Sequence, residues 1–182
     1  MQKLRIRTSL MAGLAATSLL YLTSGVGADG GHNRFKARLA GFNEVPAISS
    51  TGSGEWSGRI RGDSVEWELS YEGLEGTVTG ASHIHFGQKD VNGGVSVFFC
   101  GGGTPPTPPC TPGSGHFSGT FTAADMGAGT TAQGIAPGEF SELIAAIRAG
   151  KTYVNVHTNK HGGGEIRGQV GRDHDDDDDD DN

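Results

Sequence analysis

The stretch EWSGRIRGDSVEWELSYEG, residues 55–73, alternates apolar and polar side chains on both sides of Gly62 and Asp63. The apolar positions of its second half are Val65, Trp67, Leu69 and Tyr71. A period of two residues is typical of a strand with one buried face, and a short glycine-containing turn joins two such strands in a hairpin. The stretch therefore predicts an antiparallel β-hairpin that turns at Gly62 and Asp63.

Similar alternation occurs on both sides of this hairpin. Upstream, Phe35, Ala37 and Leu39 alternate with basic residues. Downstream, strands are predicted at 79–86, 94–99, 115–122, 151–158 and 164–170. Short strands at regular spacing, in a chain with 32 glycines, favour an all-β antiparallel sandwich or barrel of about seven or eight strands.

One segment departs from the strand pattern. PGEFSELIAAIRAG, residues 137–150, places Phe140, Leu143, Ile144 and Ile147 at helical spacing. Gly150 stands where a helix commonly ends. We expect one short helix at about 138–149, packed on the end of the barrel or sandwich.

The N-terminal residues have the layout of a secretory signal peptide. Lys3, Arg5 and Arg7 precede an apolar stretch from Leu10 to Leu22, and small residues lead to Ala28. This layout predicts a signal peptide over 1–28 and a periplasmic or secreted protein, with an uncleaved anchor as the alternative. No later segment is apolar enough to predict a membrane span.

Cys100 and Cys110 are the only cysteines, and they flank the segment GGGTPPTPP. In an exported protein, two cysteines most simply form one disulfide. Metal ligation by the two thiols is the alternative, which an oxidising compartment disfavours.

The acidic residues are concentrated at the C-terminus. The chain has a formal net charge of −7, and Asp173 with 175–181 supplies eight of its negative charges. Residues 173–182 are predicted to be a disordered tail, with weak capture of Ca²⁺ or other divalent cations as its functional alternative. Without this tail and the signal peptide, residues 29–172 form one nearly neutral domain, which argues against nucleic-acid binding.

The stretch ASHIHFG, residues 81–87, places two histidines on one face of a predicted strand. Ile84 and Phe86 are expected in the core, which sends His83 and His85 to the outer wall. In TYVNVHT, residues 152–158, the same alternation turns Tyr153, Asn155 and His157 outward. In GEIRGQV, residues 164–170, it turns Glu165, Arg167 and Gln169 outward.

If the strands of His83, His85 and His157 are neighbours, three imidazoles can converge on one metal ion. Imidazole suits copper and zinc, and copper binds more tightly in the general divalent order. An ordinary histidine pKa near 6.5 would make such binding weaken below about pH 6. The alternative is that these histidines are exposed polar residues without a ligand.

Six blocks of the chain together resemble the chordin-type domain known as CHRD. They are ARLAGFNEVPAISSTGSG, ASHIHFG, VSVFFCGGG, GTFTAADM, IRAGKTYVNVHT and GGGEIRGQV. The resemblance extends from about Phe35 to Val170 and implies a domain found in secreted bacterial proteins.

A fainter resemblance is to copper/zinc superoxide dismutase, a Greek-key β-barrel. HIHFG is similar to its His-x-His copper motif, and YVNVHT is similar to a later strand that ends in another copper ligand. This likeness implies His83, His85 and His157 as copper ligands, with Arg167 near the site. The zinc-binding loop of the dismutases has no counterpart between 87 and 121, which places dismutase chemistry in doubt.

Two further residues are candidates for supporting roles. His116 could supply a fourth ligand, although GHFSG reads equally well as an exposed strand. Glu44 could orient a ligating imidazole, as carboxylates often do, although it could also be a strand-end residue.

The sequence thus favours a secreted or periplasmic metal-binding protein that holds copper, with zinc as a second candidate, for sequestration or delivery. Its motifs include no catalytic triad or phosphate-binding loop, and they do not identify a protein partner. The alternatives are a copper-only superoxide dismutase-like enzyme and a metal-free extracellular structural or adhesive module.

Overall fold

The hairpin predicted at Gly62 and Asp63 is part of a β-barrel in the computed structural model, which describes residues 32–77 and 79–173. Arg61 pairs with Ser64 at its end. Gly62 has a φ of 55°, a conformation that glycine adopts without steric cost. The predicted signal peptide and the tail from His174 onward lie outside the described residues.

The described part of the chain contains nine strands and one α-helix. The strands are β1 (Arg34–Ala40), β2 (Ser53–Arg61), β3 (Ser64–Glu72), β4 (Thr79–Phe86), β5 (Gly94–Cys100), β6 (Gly115–Phe121), β7 (Thr152–Thr158), β8 (Ile166–Gln169) and β9 (Gly171–Arg172). Helix α1 spans Phe140–Arg148, and three 3₁₀ helices cover Gly41–Asn43, Ala123–Asp125 and Ala128–Gln133.

All strand pairs are antiparallel, and the hydrogen-bonded order is β5-β4-β7-β8-β1-β2-β3-β6, with β9 beside β1. The two end strands, β5 and β6, also approach each other. The sheet therefore almost closes into a barrel, and β3 and β4, consecutive in the chain, are separated by β6 and β5 around it, as in a Greek key. The prediction of an all-β antiparallel barrel with one short helix is confirmed.

The core is built from the inward positions that alternation identified. Phe35, Leu69, Ile84, Val154 and Ile166 are all buried. Helix α1 begins two residues later than predicted and buries Phe140, Leu143, Ile144, Ala146 and Ile147. The ring of Phe140 lies 6.1 Å from that of Phe121, so the helix packs against the end of the barrel.

The predicted disulfide between Cys100 and Cys110 is present. It closes the Gly/Pro segment 101–109, whose Gly102 and Gly103 pack against the ring of Phe98. Among the described residues, no helix combines the length and apolar character required to span a membrane.

The prediction that the outer faces of β7 and β8 are exposed is wrong. Tyr153, Asn155, Glu165 and Arg167 are each at most 2% exposed. The segments 41–52 and 87–93 lie over this face. From the first segment, Ser50 donates a hydrogen bond to Glu165. From the second, Asn92 accepts a hydrogen bond from Arg167 and donates one to the carbonyl of Val45, which joins the two segments. Alternation gives the face of a strand but cannot show that loops cover it.

Asp173, the last described residue, contacts β1. The backbone N–H of Asp173 donates to the carbonyl of Arg34, and its carboxylate lies 3.0 Å from Nζ of Lys36. Asp173 therefore belongs to the barrel edge, together with β9.

Candidate metal centre

Strands β4 and β7 bring the three predicted histidines together. The two strands are adjacent and antiparallel, and their register places His83 opposite Asn155 and His85 opposite Tyr153. One ligand atom from each of His83, His85 and His157 lies within 4.8 Å of the others. Two nitrogens bound at about 2.0 Å to one metal are about 3.3–4 Å apart, so small ring rotations would bring the three nitrogens to bonding distance.

Aromatic side chains form the walls of this cluster. The ring centroid of His83 lies 4.6 Å from that of His85 and 4.6 Å from that of His157. Phe98 packs edge-on against His83 at 4.9 Å, and Tyr153 stacks on His85 at 4.4 Å with nearly parallel planes. His83 and His85 are 6% and 7% exposed, so water reaches them little.

Backbone carbonyls determine which ring nitrogens carry protons. Nδ1 of His85 lies 2.8 Å from the carbonyl oxygen of Gly93, and Nδ1 of His157 lies 2.9 Å from that of Gly162. Because a carbonyl oxygen can only accept, each Nδ1 donates its proton, and Nε2 of the neutral ring is left as a lone pair. This is the arrangement in which histidines ligate metals.

Two buried nitrogens of the cluster have no hydrogen-bond partner. They are Nε2 of His157 and Nδ1 of His83. Buried polar atoms normally have partners, and each one left without a partner costs free energy. A cation bound among these nitrogens would supply the missing partners.

Asn155 links this cluster to Glu44. Its side-chain oxygen, Oδ1, lies 3.1 Å from Nε2 of His85. Because the neutral ring carries its proton on Nδ1, Nε2 and this oxygen face each other as two acceptors, and a cation bound to Nε2 would relieve their repulsion. Glu44 contacts the same amide from the segment 41–52, so a carboxyl group supports the histidine cluster through Asn155 and does not ligate with it.

Burial keeps the three imidazoles neutral. Loss of solvation, with smaller contributions from the neighbouring histidines, lowers the pKa of His83 to about 2. Burial also lowers the pKa of His85 to about 4 and lowers that of His157. The lowered pKa values move the expected loss of copper to a pH below 6, the value that an ordinary histidine pKa would give.

Arg167 lies beside the cluster but is not aimed at it. Its guanidinium group stacks on Tyr153, 3.4 Å from the ring centroid, and donates to the carbonyls of Val91 and Gln88 and to Oδ1 of Asn92. Because β7 lies between β4 and β8, Tyr153 is held between His85 on one face and Arg167 on the other. Arg167 thereby fastens the segment 87–93, which supplies the Gly93 carbonyl.

Glu165 and His116 do not join the cluster. Glu165 accepts hydrogen bonds from the hydroxyls of Ser50 and Thr158 and from the backbone of Glu75, so it joins three segments. His116 lies on β6, where its side chain is 63% exposed and 3.4 Å from Glu68. β5 separates β6 from β4 around the barrel, and His116 is not among the residues that the cluster brings together.

Sequence reasoning placed Tyr153 and Asn155 on the correct face but gave them no role. The sequence did indicate that they share a face with His157, because Asn155 lies two residues and Tyr153 four residues before it in an alternating strand. Gly93 and Gly162 had no such signal, because their contacts depend on how loops fold over the barrel. Phe98 had none because its contact depends on the register between β4 and β5.

The comparisons with known proteins agree with the extent of this barrel. The family model described as CHRD domain matches residues 35–170, which extend from the second residue of β1 through β8 and include all three histidines. No curated protein matches the chain.

Proposed function

The chain belongs to the CHRD-domain family, and on that premise we propose that it is an extracellular or periplasmic module that binds copper. In this proposal, His83, His85 and His157 hold the ion, and the protein sequesters it or delivers it to a partner. The observation that carries the proposal is the group of three buried or half-buried imidazoles whose ligand nitrogens lie within 4.8 Å of one another, two of them with Nδ1 held by a backbone carbonyl.

Copper is favoured over other divalent metals by the donor set. All three donors are imidazole nitrogens, and among the described residues the cluster includes no carboxylate or cysteine. Imidazole suits copper and zinc, and copper stands above zinc in the general order of affinity. Calcium and magnesium prefer oxygen ligands, which this cluster lacks.

Two functions compete with this proposal. A dismutase would use Arg167 to attract superoxide, but its guanidinium is buried and already hydrogen-bonded to the segment 87–93. A metal-free structural module would not explain the three histidines, because burying nitrogens without hydrogen-bond partners lowers the stability of the fold.

The test is copper titration of a protein truncated after Asp173, because the acidic residues beyond it bind cations weakly by themselves. We expect one copper ion per chain in the wild type. His83→Ala and His157→Ala should each weaken binding by at least tenfold, since each removes one of three ligands.

His116→Ala is the matched control, because it removes an exposed histidine from another strand and should leave the affinity unchanged. Zinc is titrated in parallel. Equal copper binding by the wild type and the His83→Ala/His157→Ala double variant would refute the site, and zinc binding tighter than that of copper would refute the metal.

A further inference from the structure

We infer that the ion this centre selects is cuprous copper, Cu⁺, rather than Cu²⁺. The inference rests on the proposed function, because it concerns the same three histidines. It follows from the charge and number of the groups around them.

The first reason is the cost of burying charge. His83 and His85 are more than 90% buried, and all three ligands are neutral. The cost of moving an ion out of water rises with the square of its charge, so a doubly charged ion loses far more hydration energy than Cu⁺. Among the described residues, the cluster contains no anionic ligand that would offset this cost for Cu²⁺.

The second reason is the number of donors. Cu²⁺ favours a tetragonal arrangement of nitrogen and oxygen ligands, which needs four donors in one plane. The cluster offers three imidazoles from two neighbouring strands, enclosed by Phe98 and Tyr153. A d¹⁰ ion such as Cu⁺ has no geometric preference from its d electrons and is satisfied by three donors.

The third reason is a fixed positive charge beside the cluster. Arg167 is 2% exposed and lies against the face of Tyr153 opposite His85. Repulsion between this cation and the metal is twice as large for Cu²⁺ as for Cu⁺. Glu44 offsets it only in part, because burial raises the pKa of that carboxyl to about 7.

The experiment measures the affinities of both oxidation states in the protein truncated after Asp173. Cu⁺ is titrated anaerobically against a coloured cuprous chelator, and Cu²⁺ is titrated in air against glycine. We expect Cu⁺ to bind more tightly, so that the bound pair has a higher reduction potential than aqueous copper. A Cu²⁺ affinity equal to or above that of Cu⁺ would overturn the inference.

Arg167 provides the internal comparison. Arg167→Gln should lower the preference for Cu⁺ about tenfold, which is about 59 mV for a one-electron couple, whereas Arg167→Lys should retain the preference. A folded Arg167→Gln protein with an unchanged preference would overturn the role of this charge. If that variant does not fold, the ratio in the wild type decides the inference by itself.

These outcomes are distinct from those that test the proposed function. A wild-type protein that binds neither oxidation state would refute copper binding altogether. A protein that binds Cu²⁺ more tightly than Cu⁺, and loses it in His83→Ala, would refute only the choice of oxidation state.

Discussion

At the scale of single residues, the candidate centre depends on groups that are not ligands. His85 is held by the Gly93 carbonyl and by the stacked ring of Tyr153. The two contacts fix different properties of the ring, its tautomer and its plane. A ligand with so few free motions loses little conformational entropy when it binds an ion.

Gly93→Ala should weaken copper binding by about ten- to a hundredfold, the usual effect of disturbing a partner of a ligating histidine. A Cβ atom at this position would lie against the carbonyl oxygen of Phe86, so the segment 87–93 would have to shift and carry the Gly93 carbonyl away from His85. The measurement is copper affinity by competition.

Gly163→Ala is the control for this substitution, since nothing lies near the added methyl group. If Gly93→Ala binds copper as tightly as this control, the carbonyl contact does not orient His85.

The buried histidines should also make the metal-free fold sensitive to acid. Burial lowers the pKa of His83 from about 6.5 in the unfolded chain to about 2 in the folded chain. Below pH 6.5 the unfolded chain therefore binds a proton at His83 that the folded chain does not bind. The contribution of neutral His83 to the free energy of unfolding is therefore complete above pH 6.5 and is lost as the pH falls. One such histidine costs about 2 kcal/mol at pH 5.

Chemical unfolding of the wild type and His83→Gln at pH 7 and pH 5 isolates this effect. Glu44, whose raised pKa acts in the opposite direction, is present in both proteins and cancels from the difference. The wild type should lose about 2 kcal/mol more than the variant. An equal loss in both would show that His83 takes up protons in the folded state.

At the scale of elements, the sequence predicted the strands but did not predict which loops cover their outer faces. Alternation identified β4 and β7 and the side on which His83, His85 and His157 lie, because side-chain direction in a strand is a local property. It did not identify Arg167 and Glu165 as buried, because the segments 41–52 and 87–93 that cover them are irregular. The metal cluster was thus predictable in its members but not in its enclosure.

The disulfide-closed segment 101–109 is one of the elements that enclose the cluster. It packs on Phe98, and Phe98 packs on His83. Replacing both Cys100 and Cys110 by serine should lower the free energy of unfolding by about 2–3 kcal/mol, the effect of opening a loop of this size. It should also weaken copper binding, because Phe98 loses support.

Both effects are measured on one protein preparation, by denaturant unfolding and by copper competition. The control is the wild type, whose disulfide is intact. Unchanged copper affinity in a folded double-serine variant would mean that β5 holds Phe98 without help from the segment.

At the scale of the whole molecule, the histidines join two strands that are far apart in the chain. β4 and β7 are neighbours in the barrel, yet β5, β6 and α1 separate them in sequence. An ion held by His83, His85 and His157 therefore bridges residues that only the folded barrel brings together. Unfolding the barrel must release that ion, so binding and folding are thermodynamically linked.

This linkage predicts that copper raises the thermal stability of the protein. At a free copper concentration about a thousand times the dissociation constant, the folded state should gain about 4 kcal/mol. Scanning calorimetry of the protein truncated after Asp173 should show a higher melting temperature with copper than without it. In the variant with His83, His85 and His157 all replaced by alanine, copper should leave the melting temperature unchanged. An equal rise in that variant would place the stabilising ion elsewhere on the barrel.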